Sequence, residues 1–274
     1  NTITASDLTI NVVAEHTTAY GVYMPAASTT SLTNCTINVE GKGNNLTAAG
    51  DVNAMGVYAY KTGGKVSLDH CTINAQVTKP SYGRKAYAVN AVAGVTTTIQ
   101  NSQIVATSDY QYAYGIYNAG SPLTLTDNTI VATSQNYAYA YGVYSTGATN
   151  VITGNTINAT SGTTYGYGVY IEKASSVNTI NNNNIRVETK ASSMASAATS
   201  TTYTYGVYLT KSGTLTMEGN TVYAECTKEN AGRYVYGAYF TSGTLTANLK
   251  NNHITGVSAY QYGYGIYNAA KLTS

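Results

Sequence analysis

The four residues Tyr114-Gly115-Ile116-Tyr117 predict a repetitive fold, because the same pattern returns from one end of the chain to the other. The other copies are Tyr20–Tyr23, Met55–Tyr58, Tyr87–Asn90, Tyr141–Tyr144, Tyr167–Tyr170, Tyr205–Tyr208, Tyr236–Tyr239 and Tyr264–Tyr267. The shortest spacings are 27 residues, from Gly115 to Gly142, and 26 residues, from Gly142 to Gly168. A repeat of this length throughout the chain predicts a single elongated solenoid domain over residues 1–274.

A second pattern alternates with the first and consists of two aliphatic residues five positions apart, such as Leu125 and Ile130. The second aliphatic of each copy is Leu8, Ile37, Ile73, Ile104, Ile130, Ile157, Ile185, Val222 or Ile254. Three positions earlier, eight of these copies carry Asn34, His70, Asn101, Asp127, Gly154, Asn182, Gly219 or Asn251. These residue types tolerate a left-handed backbone, so a tight turn is predicted in every coil.

The position after this turn residue is asparagine in the later coils. We call Asn128, Asn155, Asn183, Asn220 and Asn252 the asparagine ladder. Stacked amides hydrogen-bond to the coils on either side, which satisfies polar groups at a buried corner. The earlier coils carry Ser6, Cys35, Cys71 and Ser102 at this position and need another solution.

Each coil therefore contains three short strands, and parallel stacking of about nine coils gives an all-β, triangular solenoid. On these repeats and the asparagine ladder, the chain resembles the right-handed parallel β-helix superfamily, the pectin-lyase-like fold. Right-handedness is implied by this resemblance. The likeness is to bacterial surface and adhesin-type β-solenoids rather than to enzymes of the fold. Because both ends fall in mid-repeat, we expect a fragment of a longer chain.

Successive side chains of a strand point to opposite faces, so residues two positions apart share a face. This parity predicts which side chains of the first pattern face the core. The aliphatic residues, such as Ile116, belong inside. The tyrosine before each glycine shares their parity, so this leading column is expected to face inward too. The glycine and the tyrosine after it are then expected to face outward. This trailing column comprises Tyr23, Tyr58, Tyr117, Tyr144, Tyr170, Tyr208, Tyr239 and Tyr267, with Asn90 as its exception.

Three coils with short connections lie between two pairs of coils that carry long insertions. This arrangement predicts a saddle, a shallow surface walled by the long loops, beside the trailing column. The insertions span roughly residues 40–53, 76–85, 188–201 and 225–233, and all emerge at one corner. The predicted ligand-binding residues in the saddle are Tyr117, Tyr144, Tyr170, Gly115, Gly142 and Gly168. Amphipathic tyrosine rings beside an open glycine backbone suit a glycan ligand. Simple stabilisation of the stack by aromatic pairs is the alternative.

The sequence contains no recognised catalytic or metal-binding motif. The strand acids Asp69 and Glu218 lie four or more coils apart, so we predict no catalytic residues and no enzyme activity. His16, His70 and His253 occupy different repeat positions, and C-x-x-C spacing is absent, so no metal site or cofactor is predicted. Cys35 and Cys71 share a repeat position and are either buried thiols or a disulfide, whereas Cys226 is expected in a loop.

Charged residues make up 9% of the chain and the net charge is +2, which argues against nucleic acid as a partner. The sequence contains no stretch of about 18 apolar residues, so no membrane span is predicted in this segment. We predict an extracellular or cell-surface structural or adhesive segment whose partner is a glycan or another surface protein. The alternatives are a carbohydrate-active β-helix lyase or hydrolase with catalytic residues in the long loops, and a filament or sheath subunit assembling end to end.

Overall fold

The computed structural model describes residues 1–43, 52–78, 84–120, 122–136, 139–190, 201–227, 233–241, 243–269 and 271–272. Its strands begin with β1 (Thr2–Ser6), β2 (Thr9–Ala14), β3 (Ala19–Met24), β4 (Thr29–Thr33), β5 (Thr36–Gly41), β6 (Asn53–Ala59), β7 (Lys65–Asp69), β8 (Thr72–Val77) and β9 (Lys85–Ala91). They continue with β10 (Thr96–Gln100), β11 (Gln103–Ser108), β12 (Tyr112–Asn118), β13 (Leu123–Thr126), β14 (Thr129–Ser134), β15 (Tyr139–Ser145), β16 (Thr149–Thr153), β17 (Thr156–Ser161) and β18 (Tyr165–Ile171). The last are β19 (Ser176–Asn181), β20 (Asn184–Thr189), β21 (Thr202–Leu209), β22 (Gly213–Glu218), β23 (Thr221–Cys226), β24 (Arg233–Phe240), β25 (Thr244–Lys250), β26 (His253–Ser258), β27 (Tyr262–Asn268) and β28 (Lys271–Leu272).

Every third strand joins the same sheet, so the first 27 strands form nine coils of three strands around one core. The first strands of the coils and β28 make a ten-stranded sheet, and the second and third strands make two nine-stranded sheets. All pairs are parallel, and Ile104, Ile130, Ile157 and Ile185 pair in direct succession, as predicted. The predicted all-β solenoid is therefore confirmed.

The predicted tight turn lies between the first and second strand of each coil. Its non-glycine residues have φ between 51° and 55°, and these are Asp7, Asn34, His70, Asn101, Asp127, Asn182 and Asn251. Gly154 and Gly219 complete the series with φ of 72° and 68°. The left-handed conformation explains the restriction to Asn, Asp, His and Gly at this position.

The asparagine ladder forms at the next position, and its side-chain amides hydrogen-bond from coil to coil. The Asn155 side-chain amide donates to Oδ1 of Asn183 at 3.0 Å and to the Leu125 carbonyl at 3.1 Å. Oδ1 of Asn155 accepts the backbone N–H of Asn128 and its side-chain amide, both at 2.9 Å. Donation to the next coil repeats at Asn183 and Asn220. The ladder thus replaces water at a buried corner.

Coils two to four solve the same problem with shorter side chains. In the first coil the prediction of Ser6 at this position is wrong, because Leu8 follows the turn residue and Ile10 rather than Leu8 pairs with Ile37. Ser102 Oγ accepts the backbone N–H of Cys71 at 3.0 Å and donates to the Gln100 carbonyl at 2.7 Å. Cys35 and Cys71 are buried free thiols, which decides between the two alternatives for this pair. The expectation that Cys226 lies in a loop is wrong, because Cys226 ends β23 with its side chain in the buried register.

The long insertions all leave between the second and third strands of a coil, as their flanking strands show. Most of residues 40–53, 76–85, 188–201 and 225–233 lie outside the described residues, so the predicted walls of the saddle are not described. Within the described part of the chain, no helix has the length and apolar character needed to cross a membrane.

Candidate functional site on the tyrosine face

The third strand of each coil does not alternate regularly, and this decides what its outer surface displays. In β12, Tyr112, Tyr114 and Tyr117 are partly exposed, whereas Gly115 and Ile116 are adjacent and both buried. In the pairing of β12 with β15, Tyr114 and Ile116 each have a partner residue, whereas Gly115 between them is not paired. The leading and trailing tyrosines therefore both face outward. The prediction that the leading tyrosine faces the core and the glycine faces out is wrong.

Close packing against the following coil explains this local bend. A Cβ at Gly115 would lie 2.5 Å from Cγ2 of Ile130 and 2.6 Å from the carbonyl oxygen of Gly142. Only glycine allows the backbone to approach so closely, and the chain bends as at a β-bulge. Gly115, Gly142 and Gly168 therefore serve the packing of the inner side and do not line the outer surface.

The bend leaves three tyrosine columns on the outside of the third sheet. The upstream column, which the sequence analysis missed, is Tyr112, Tyr139, Tyr165, Tyr203, Tyr234 and Tyr262. The leading column is Tyr20, Tyr87, Tyr114, Tyr141, Tyr167, Tyr205, Tyr236 and Tyr264, with Met55 in the second coil. The period-two spacing of Tyr112 and Tyr114 is the signal that could have revealed the upstream column.

The rings form their own cluster, separate from the aliphatic core. Tyr114 lies parallel to Tyr141, with ring centroids 4.8 Å apart and an interplanar angle of 3°. Tyr117 and Tyr144 are parallel at 4.9 Å and 7°. Tyr114 and Tyr117 are almost perpendicular, at 86°. Offset stacks within a column and edge contacts between columns are both favourable, at about 0.5–1.5 kcal/mol a pair.

A shallow groove of about 580 Å³ lies over coils four to six, which are the coils of the predicted saddle. Lys85, Tyr112, Tyr114, Tyr117, Tyr139, Tyr141, Tyr144, Tyr165, Tyr167, Tyr170 and Glu172 line this tyrosine groove. The predicted residues Tyr117, Tyr144 and Tyr170 are thus brought together along one side of it.

Both ends of the tyrosine groove have a local cause. At the third coil, Asn90 replaces the trailing tyrosine and Lys85 replaces the upstream one. At the seventh coil the Tyr208 ring is turned, standing at 72° to Tyr170 and lying within 12° of Tyr205. The trailing column is therefore interrupted on both sides of the groove, whereas the leading column continues past it in parallel stacks, from Tyr87 to Tyr114 and from Tyr167 to Tyr205.

Glu172 gives this groove its negative charge. The hydroxyls of Tyr144 and Tyr170 each donate to Oε2 of Glu172 at 3.2 Å. Burial raises the pKa of the Tyr117, Tyr144 and Tyr170 phenols, and the nearby carboxylate raises each pKa further. These phenols therefore remain protonated near neutral pH and act as hydrogen-bond donors.

Two acids singled out on the strands do not form a pair. Asp69 lies in β7 and Glu218 in β22, five strands apart in the first sheet. Asp69 contacts His70 Nδ1 at 2.7 Å, and Glu218 pairs with Lys250 Nζ at 2.7 Å. Across the described residues, no group of three or more His, Cys, Asp or Glu side chains is arranged to hold a metal ion.

Comparison with known proteins supports the architecture. A family model described as a right-handed β-helix region matches residues 1–185, which is more than half of the chain. No curated protein and no solved structure matches the chain. With its three parallel sheets stacked coil on coil, this chain belongs to the right-handed β-helix family.

Proposed function

We propose that this chain is a structural and adhesive segment of an extracellular or cell-surface protein, and that it binds a glycan in the tyrosine groove. The groove itself carries the proposal. Nine tyrosines from three successive coils line it, and the trailing column is interrupted on either side of it, by Asn90 and by the turned ring of Tyr208. A patch of this kind on a rigid, repetitive scaffold is suited to recognition.

The ring arrangement determines how a sugar would be held. Parallel stacking of Tyr114 on Tyr141 and of Tyr141 on Tyr167 uses the ring faces inside the leading column. A ligand therefore contacts phenol hydroxyls and ring edges rather than open ring faces. Sugars present hydroxyls and C–H groups together, and half-buried tyrosines offer a partner for each. The rings are already packed in place, so little side-chain entropy is lost on binding.

The test compares the same substitution inside and outside the groove. Tyr144→Thr should abolish a glycan-array signal while circular dichroism and melting show a folded protein. Tyr267 is the matched control, because it occupies the trailing column in the ninth coil, outside the groove. Tyr267→Thr should leave the signal intact. Equal binding by the parent and the Tyr144→Thr protein would show that the tyrosines only stabilise the stack.

We propose a binding rather than a catalytic role because the strand acids are separated and individually paired. The competing proposal places catalytic residues of a lyase or hydrolase in the long loops. A screen against acidic and neutral polysaccharides distinguishes the two. Turnover that is lost on replacing a single loop acid would favour the enzyme.

End-to-end self-association is a second candidate function. Its support is the repetition of the coil, since each strand pairs in parallel with the equivalent strand of the next coil. Strands of this kind can pair in the same way with a coil of another copy. Light scattering of the isolated chain tests this, since mass that grows with concentration would support stacking and a mass independent of concentration would contradict it.

A further inference from the structure

Glu172 is the only carboxylate among the described residues that line the tyrosine groove. It follows β18 directly and lies beside the trailing column in the sixth coil. Its Oε2 accepts two phenol hydrogens, from Tyr144 and Tyr170. The two phenols fix the position of the carboxylate. Both contacts use Oε2, so neither of them engages the second carboxylate oxygen.

Among the described residues, no cation forms an ion pair with Glu172. Ion pairs within the described residues join Lys42 to Glu15, His70 to Asp69, Arg186 to Glu225 and Lys250 to Glu218, and none includes Glu172. Both phenol contacts are 3.2 Å long, against about 2.7 Å for a typical O–H···O bond. The carboxylate is therefore held in place but is not saturated.

The cation of the groove lies at the opposite corner. Lys85 opens β9 in the third coil, and its Nζ lies 5.4 Å from the centre of the Tyr112 ring in the upstream column. Glu172 belongs to the sixth coil and to the trailing side. The tyrosine groove thus has a negative and a positive corner, separated by about 14 Å along the solenoid if each coil advances one strand spacing.

We propose that Glu172 forms a subsite for an ammonium group, so that the glycan held in the tyrosine groove is an oligomer of amino sugars with free amines. This inference rests on the proposed glycan-binding function. A free amine meets an unpaired carboxylate in a half-buried setting, where a charge-assisted hydrogen bond is stronger than a neutral one. A uronate at the same position would be repelled, so the subsite also excludes acidic glycans.

The experiment measures calorimetric affinity for two probes of equal length, an oligomer of β-linked glucosamine and its fully N-acetylated counterpart. The parent protein should prefer the free amine by about tenfold or more, and the preference should shrink as salt is added. Glu172→Gln keeps an acceptor for both phenols and removes the charge. This variant should bind the two probes equally, with its affinity for the N-acetylated oligomer unchanged.

Glu188→Gln is the control, because Glu188 lies on β20 outside the groove and the substitution changes the net charge equally. It should retain the preference for the amine. A preference that survives Glu172→Gln, or is absent from the parent protein, would overturn the ammonium subsite. Binding of neither oligomer, or binding unaffected by Tyr144→Thr, would instead count against the proposed glycan function itself.

Discussion

The asparagine ladder and the tyrosine groove are both stacks of one residue type repeated coil after coil, but their surroundings differ. Asn155 is 1% exposed, and both its amide nitrogen and its oxygen are engaged by neighbouring coils. Tyr144 and Tyr170 are partly exposed, and the carboxylate that they contact remains unpaired by any described cation. Repetition alone therefore does not distinguish the structural ladder from the tyrosine array that we propose to bind glycan. Burial and hydrogen-bond saturation do.

The largest expected effect comes from breaking the ladder. Asn155→Leu removes the acceptor for the backbone N–H and the side-chain amide of Asn128, and the donor to the Leu125 carbonyl. Several buried polar groups then lose their partners, so the free energy of unfolding should fall by about 3–5 kcal/mol. Urea denaturation measures this change.

Asn155→Ser is the matched control for that prediction, because Ser102 already occupies the same repeat position and bonds to Cys71 and Gln100. We expect a smaller loss, of about 1–2 kcal/mol. If Asn155→Leu and Asn155→Ser lower the free energy of unfolding equally, side-chain size rather than hydrogen bonding determines the stability of this corner. The ladder would then resemble the tyrosine stack more closely than the structure indicates.

The ladder was predictable from sequence because its determinants are local. A left-handed turn residue precedes each member, and the amides recur at one repeat position. The outward leading column was not predictable by parity, because a bend at glycine changes the face of every preceding residue. Parity is reliable only where the strand is regular.

A buried polar array near the first sheet shows another limit of the sequence. Asn150 donates to Oδ1 of Asn178 at 2.8 Å and accepts from Ser145 at 2.6 Å. Asn118 donates to the same serine hydroxyl at 3.3 Å. The position of Asn150 is taken by Leu123 in the preceding coil, so no column of identical residues marks it. Nor does the sequence indicate Glu172, whose significance depends on which tyrosines face outward.

The second prediction concerns the inner side of the tyrosine strand. In Gly142→Ala, the new methyl group would meet Cγ2 of Ile157 and lie 2.7 Å from the carbonyl oxygen of Gly168. A backbone atom cannot move aside cheaply, so we expect a loss of about 2–3 kcal/mol in unfolding free energy and a weakened groove. Thermal melting and glycan binding should both change.

Gly265 provides the matched control, since it holds the same repeat position in the ninth coil. A Cβ there would meet only the Ile254 carbonyl oxygen, at 3.4 Å. Gly265→Ala should therefore cost far less than Gly142→Ala. Equal costs at the two sites would mean that glycine is selected for chain conformation and not for close packing against the next coil.

The smallest effect should appear in alkaline solution and separates the two arrays by their chemistry. Burial raises the pKa of Tyr141 in the folded protein, with smaller contributions from neighbouring tyrosines, whereas an unfolded tyrosine ionises near pH 10. The unfolded state therefore loses its protons first. The stabilisation is fully present below about pH 10 and is lost progressively as the pH rises above it towards the raised pKa. Urea unfolding between about pH 8 and about pH 11 should thus show falling stability.

Tyr141→Phe should make the decline shallower by at most about one proton, whereas Asn155→Ser should lower stability equally at every pH because amides do not titrate. A parent protein whose stability is flat across this range would mean that the stacked phenols are as well solvated as free tyrosine, and the half-buried donors invoked for the groove would not exist.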